Sequence, residues 1–427
     1  MIVPRLDKEI GIEVYATRSQ GFGGKLRQSP EDFKVEEILT NGSIAQIEPD
    51  NIPNITGHNR YIIFVLVKRK LDVFQAIQMI ANQLGISQER IQIAGIKDAN
   101  AITAQHVSIS RMLPEQAAQI RTRNLWLYPL SLSSNKISSD VLLGNRFRIN
   151  VRDITYSAPA TMKRANAVLH ELSELNGCPN FFGHQRFGTT RAITHIVGKH
   201  ILRGEWEQAA LAFLAKASKY ENPKSREARQ RLHRNQNYQE ALDYFPQKLV
   251  YERQMLKHLA VQRRDFRGAF YRLPIKLCQL LIQAYQSYLF NRFLSQRIIH
   301  ELPLVKARAG EHSLTIDGEE RLALPLIGYR QGTSSGQQGE IEKSVLDEED
   351  ITPERFKIQD MPKISSSGGL RAAVTPIIDM QIGKPSRDEA NVGKRALNLS
   401  FTLRKGSYAT VIMREFMKPR SPVTAGF

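Results

Sequence analysis

Seven consecutive apolar residues, Tyr61 to Val67 (Tyr-Ile-Ile-Phe-Val-Leu-Val), constrain this chain more than any other feature. The run is rich in β-branched and aromatic residues and far too short to span a bilayer. It therefore reads as a strand buried in a core. Just after it, Val73, Phe74, Ile77, Ile80, Ala81 and Leu84 recur at helical spacing. Asp72 to Leu84 is predicted to be an amphipathic helix, stopped by Gly85. Arg90 to Ala94 and His106 to Ser110 then read as strands again. Strand, helix and strand in that order require layered α/β or α+β packing.

Between those last two strands stands Gly95-Ile96-Lys97-Asp98-Ala99-Asn100-Ala101-Ile102-Thr103-Ala104-Gln105. Gly95 permits a tight turn, which places Asp98 in a short loop at a strand end. A carboxylate there is rigidly held at a surface cleft, and Lys97 beside it helps to keep it ionised. Read locally, Lys97-Asp98 is equally a solvated turn pair.

Other segments follow the same logic. Ser29-Pro30-Glu31-Asp32 is turn chemistry, and Phe33 and Val35 alternate with Lys34 and Glu36 as in a strand. Residues 124–130 are a further strand. In 145–152, Phe147, Ile149 and Val151 oppose Arg146, Arg148, Asn150 and Arg152, a half-buried strand with a basic outer face that meets either solvent or RNA. Residues 159–176 are helical, residues 206–272 helical and polar, and Pro274 opens a strong apolar helix. Residues 331–340 and Ser365 to Gly369 are predicted to be mobile loops. Leu397 to Leu403 alternates as a strand, Gly406-Ser407 turns the chain, and Tyr408 to Met413 is predicted to return as a second strand.

The chain has 427 residues, of which 41% are hydrophobic, enough for two or three domains with a sizeable core. Its net charge of +18 is the usual footprint of a polyanionic partner, nucleic acid above all. Lys216 to Arg272 carries many cations, with Phe266, Phe270 and Tyr271 interleaved, as a phosphate-contacting surface or a solvated face would. Cys178 and Cys278 are the only cysteines, too few for a four-thiolate zinc site and expected to be free thiols. Arg5, Lys8 and Glu9 make the first residues unlike a signal peptide. A soluble, cytoplasmic protein is expected, with a monomer favoured and no metal. Pro179 to Gly188 packs three Phe, two Gly and several amide or cationic side chains into ten residues. Rings and amides together suit a pocket that stacks and reads a base; they also suit a buried loop.

Taken in order, several motifs resemble the TruD family of tRNA pseudouridine synthases. They are Ser29-Pro30-Glu31-Asp32-Phe33, Ala94 to Asp98 with Ala101-Ile102-Thr103 and Gln105, Gly144-Asn145-Arg146-Phe147, Asn180 to Gly188, Gln283 to Asn291, Leu324 to Tyr329, and Gly406 to Thr410 with Arg414-Glu415. The resemblance spans nearly the whole chain. It implies an α+β fold: a pseudouridine synthase catalytic domain with a mixed sheet flanked by helices, formed by residues 1–205 and 369–427, and an inserted α/β domain at 206–368. It implies conversion of uridine to pseudouridine, at position 13 of tRNA, without a cofactor. Asp98 matches the family's nucleophile. Phe33, Asn180, Phe182 and Tyr408 match substrate-contacting or pocket positions, and Arg414 is the expected cationic partner of Asp98, with Lys97 and Arg27 as nearby alternatives. Ala99-Asn100 and Tyr408 depart from what many members carry there. A non-catalytic RNA-binding or RNA-folding protein on the same fold is the rival reading, which the intact Lys97-Asp98 pair opposes.

RNA affinity is expected to fall steeply with salt, with a slope of about −0.7 per neutralised phosphate on a single strand. Neutralising Arg263, Arg264 and Arg267 together should flatten the slope measured by titration at several ionic strengths. An unchanged slope would place them on a solvated face.

Overall fold

The computed structural model describes residues 2–118 and 120–427. Its strands along the chain are β1 (Phe33–Leu39), β2 (Tyr61–Arg69), β3 (Ile91–Ile93), β4 (Ile102–Ser110), β5 (Leu125–Ser133), β6 (Leu142–Ile154), β7 (Cys178–Pro179), β8 (Ser313–Ile316), β9 (Glu319–Leu326), β10 (Gly369–Ala372), β11 (Val374–Thr375), β12 (Ile378–Ile382), β13 (Ser386–Arg387) and β14 (Arg395–Arg404). A nine-stranded sheet dominates, in the order β12-β14-β6-β1-β4-β2-β5, with β13 paired to β14 and β3 to β4. β1 and β4 run parallel, whereas β1–β6, β6–β14, β2–β4 and β2–β5 are antiparallel, so the sheet is mixed.

The apolar run forms β2, between β4 and the edge strand β5, covered on both faces. Ile62, Phe64 and Leu66 pack with Val73, Ala76, Ile77 and Ile80 of the helix Val73–Leu84. Val65 and Val67 pack on the other face with Ala45, Ile47 and Tyr128. Each such side chain contributes about 1.5–3 kcal/mol by burial, and two-sided burial explains why the run shows no polar alternation. Asp72 caps the helix by accepting from the Phe74 amide at 2.8 Å, and Gly85 ends it with a left-handed backbone (φ 64°).

The basic face of β6 is neutralised from within the protein. Arg146 and Arg148 reach Glu36 of β1 at 2.9 and 3.1 Å. Arg152 reaches Asp32 at 2.6 Å and Asp388 at 3.1 Å. The polar helical stretch resolves into Trp206–Ala215, Pro223–Asn235, Tyr238–Tyr244, Val250–Val261 and Phe266–Tyr271. Some of its cations are structural: Arg229 is buried against Glu252 (2.6 Å), Arg253 donates to the Leu242 and Phe245 carbonyls, and Arg267 pairs with Asp360 at 3.0 Å. Arg263 and Arg264 are exposed.

Three expectations fail. Tyr408 to Met413 is not a strand: Tyr408 precedes the helix Ala409–Met417. All nine residues of that helix are buried; Ala409, Ile412, Met413, Phe416 and Met417 recur at helical spacing, a period that shows only when the segment is read past Met413, and its charged members are held by ion pairs. Residues 331–340 are not all loop: a helix begins at Gly336, and Gln338 is buried between Arg297 and Glu342. Ser366 and Ser367 are pinned, their carbonyls accepting from the Tyr329 and Arg330 amides at 3.1 Å.

At the β6–β14 seam, a Cβ on Gly144 would overlap the Leu403 carbonyl oxygen. Gly144→Ala should therefore destabilise the protein by about 1–3 kcal/mol, seen as a lowered melting temperature. An unchanged melting temperature would show that the seam can shift.

Candidate active site

The loop between β3 and β4 is fastened from below. Lys97 of the loop makes a 2.6 Å ion pair with Glu37 of β1. Glu37 is fully buried, and its other oxygen accepts from the His106 amide at 3.0 Å and lies 3.3 Å from His106 Nδ1. Burial pushes the Glu37 carboxyl up, but His106 and Lys97 outweigh it and hold it below its usual range. Lys68 at the end of β2 donates to the Asp98 carbonyl at 2.6 Å and to the Lys97 carbonyl at 3.4 Å, and Gln105 donates to the Gly95 carbonyl at 3.3 Å. Backbone groups at 95, 97 and 98 are thus tied to side chains of β2 and β4, leaving the Asp98 carboxylate to face outward, 39% exposed.

Its cationic partner is Arg27, whose Nη2 donates to Asp98 Oδ2 at 2.8 Å. The Arg27 guanidinium lies 4.0 Å from the Phe33 ring centroid, and its Nη1 donates to the Gly426 carbonyl at 2.9 Å. Three contacts orient one planar group, so the guanidinium is pre-set against the carboxylate. Arg414 does not fill this role. It is buried elsewhere, 2.5 Å from Asp7 and 3.2 Å from Glu415, with His184 on the other Asp7 oxygen at 2.8 Å. A fully buried cation must be paired where it lies, and Asp7 and Glu415 supply that pairing. Lys97 is likewise committed, to Glu37.

A cavity of about 310 Å³ opens at Asp98. Phe33, Phe147 and Tyr408 give it aromatic walls, and Asn145, Gln185 and Lys405 add polar groups. Asn145 Oδ1 is buried with no hydrogen-bond partner. Sequence reasoning did not select Asn145 or Gln185 as site residues, although both lie in the quoted motifs; Asn145 shares the inward face of β6 with Phe147, two residues on.

Asn180 and Phe182 stand outside that lining, behind Tyr408. The Asn180 amide donates to the Ala372 carbonyl at 3.1 Å and accepts from Arg371 at 2.7 Å, and Arg371 also donates to the Gly406 carbonyl at 2.9 Å. The Arg371 guanidinium, whose pKa burial lowers to about 10, covers the Phe182 ring at 4.0 Å. Phe182 meets Tyr408 edge-on, with centroids 6.0 Å apart. Both ends of the Asn180 side chain are therefore used inside the protein, where they brace the Gly406–Tyr408 turn. Among the described residues no group of three or more His, Cys, Asp or Glu side chains is placed to hold a metal ion, and no helix is long and apolar enough to cross a membrane.

A family model described as tRNA pseudouridine synthase D (TruD) matches residues 9–321 and 312–416. The chain belongs to the TruD family. It is 37% identical to a probable tRNA pseudouridine synthase D of Methanosarcina barkeri, over 98% of both chains. It is also 37% identical to the Methanopyrus kandleri protein of the same name, over 86% of this chain and 87% of that one. A crystal structure of the Methanosarcina mazei protein assigned as a tRNA pseudouridine synthase D superposes with a TM-score of 0.83 at 34% identity, covering 99% of this chain and 100% of that one. The mixed sheet flanked by helices is thus the TruD architecture.

Lys68 generates a pH-dependent test. Burial lowers its pKa to about 8, against the opposing pull of Asp98 and Asp72. The unfolded chain holds this proton up to about pH 10.4, so between those values the unfolded state binds more protons and stability rises with pH. Below pH 8 the burial cost is present in full. Wild type should therefore gain stability relative to Lys68→Met as pH rises from 8 to 10, measured by denaturant unfolding at each pH. A difference independent of pH would show that Lys68 stays protonated throughout.

Proposed function

We propose that this protein isomerises uridine to pseudouridine in tRNA, at position 13, with Asp98 as the nucleophile. The observation that carries the reading is one carboxylate, Asp98, held by a fastened loop and oriented by Arg27 at the mouth of an aromatic-walled cavity. The family membership and the names of the relatives support the same activity.

The reaction breaks the N1–C1′ bond of uridine, turns the base and joins C5 to C1′. The proton lost from C5 is balanced by the one gained at N1, so the change is an isomerisation that needs no oxidant and no group donor. Asp98 bonds covalently to the ribose or to the pyrimidine ring while the base is free to turn. Arg27 pairs with the carboxylate and aims it. Drawing the uridine out of its stack costs a few kcal/mol, and a base stacked on an aromatic returns about 1–3 kcal/mol. Tyr408 offers such a surface, while Phe33, buried beneath Arg27, backs the wall of the pocket. Asn180 and Phe182 serve by holding Tyr408 in place, and Asn145 and Gln185 present amides to the base edge. The division into a catalytic unit, residues 1–205 and 369–427, and an inserted unit, residues 206–368, belongs to this proposal; it is supported by the large sheet drawing its strands from both sides of the insertion. The rival reading, an RNA-binding protein without catalysis, has no use for a carboxylate so carefully placed.

Pseudouridine mapping of purified tRNA, incubated with and without the protein, tests the reading. New pseudouridine at position 13 is expected from wild type and none from Asp98→Asn, whose RNA affinity should stay within a few-fold. Turnover by Asp98→Asn would remove Asp98 from its role, and product at another position would overturn the site assignment.

A further inference from the structure

A second chamber, of about 510 Å³, lies on the far side of Asp98 and shares Arg27, Asp98 and Gln185 with the first. Its character differs. Where the first has three aromatic walls, the second is lined largely by polar residues, among them Lys70, Asn100, Thr189 and Thr190, with Phe427 as its one aromatic. We propose that this chamber holds the sugar–phosphate of the nucleotide adjacent to the target uridine, with Lys70 as the partner of its phosphodiester.

Two observations carry this. The first is chain continuity: a nucleoside seated with its base in the aromatic chamber and its reacting atom at Asp98 remains part of an RNA strand, which must leave past Asp98. A chamber that begins at Asp98 is where the next unit arrives. The second is the distribution of unspent polar groups. The cations around Asp98 are committed: Arg27 to Asp98, Lys68 to two carbonyls, Arg69 to Glu31 and Lys97 to Glu37. Lys70 is exposed and, among the described residues, has no carboxylate partner. The side chains of Asn100, Thr189 and Thr190 likewise form no hydrogen bond among the described residues and line the same space. An ammonium, two hydroxyls and an amide around one volume are what a phosphodiester and a ribose require. Lys70 also has a left-handed backbone (φ 46°), uncommon for a residue with a Cβ and breaking the alternation of β2 at that point.

The inference rests on the proposed activity, and its test separates the two. A tRNA is assembled by ligation with one uncharged methylphosphonate linkage, placed either 5′ or 3′ of the target uridine, and single-turnover kcat/KM is measured. For wild type, one of the two linkages should cost about ten-fold, the value of a charge-assisted contact. Lys70→Ala should lose a similar factor on unmodified tRNA and nothing more on the modified one, while Lys70→Arg restores most of the rate. Alanine keeps the β-carbon at this left-handed position, so an unchanged melting temperature is expected. Losses that multiply when combined, or no loss at either linkage, would overturn the subsite while leaving the isomerase reading intact. Absence of pseudouridine from unmodified tRNA with wild type would overturn both.

Discussion

A carboxylate buried inside a sheet has to be compensated by its neighbours, and Glu37 is met by Lys97, by the His106 amide and by the His106 ring. Those contacts join β1, β4 and the loop between β3 and β4 into one unit. Ser43 completes it, its hydroxyl 3.1 Å from His106 Nε2. Removing one partner of such a pair costs about 3–5 kcal/mol, because the other is left charged and buried. The same arrangement faces Lys97 inward and, by the next residue, Asp98 outward. The position of the candidate nucleophile follows from the compensation of a different carboxylate one strand away.

The opposite wall of the site is built by the same principle on other residues. Arg371 joins Asn180, the Gly406 carbonyl and the Phe182 ring, so the turn that presents Tyr408 is held by one half-buried cation. Beneath it, Asp7, His184, Arg414, Glu415 and Lys418 form a buried charged cluster that ties residues near the start of the sequence to the helix Ala409–Met417. Burial raises the Asp7 carboxyl, yet Arg414 and His184 hold it below its ordinary value, so it stays charged within the core. Contacts of this kind restrict geometry more than they add stability, which is what a site needing a fixed carboxylate beside fixed rings demands.

Charge at the surface has two fates in this molecule. The net excess of +18 is real, but Arg146, Arg148, Arg152, Arg229, Arg253 and Arg267 spend their cations on internal carboxylates or carbonyls. A basic stripe on a strand is therefore poor grounds for an RNA footprint until its partners are known. Lys70, Arg263 and Arg264 are better placed for RNA because they are exposed.

Much of the fold and the candidate nucleophile were legible before any coordinates. The two-sided run in β2, the stop at Gly85 and the one-sided alternation of β6 and β14 are local patterns, which sterics and burial write directly into the order of residues. The loop that carries Asp98 was legible because glycine and flanking strands mark a loop wherever they occur; the role of Asp98 as candidate nucleophile came only from the resemblance to the TruD family. The helix Ala409–Met417 was not legible, because the window Tyr408 to Met413 stops short of Phe416 and Met417, which complete the helical spacing begun by Ala409, Ile412 and Met413. The partner of Asp98 was not either: Arg27 and Arg414 are both cations distant in sequence, and the choice between them depends on which carboxylate each meets after the chain has closed. That Asn145 and Gln185 line the cavity and that Asn180 bonds to Ala372 and Arg371 stayed hidden for the same reason. A side chain's type and spacing are properties of the chain, whereas its partners are properties of the packed molecule, where each buried charge or amide must be satisfied by whatever the fold brings within about 3 Å.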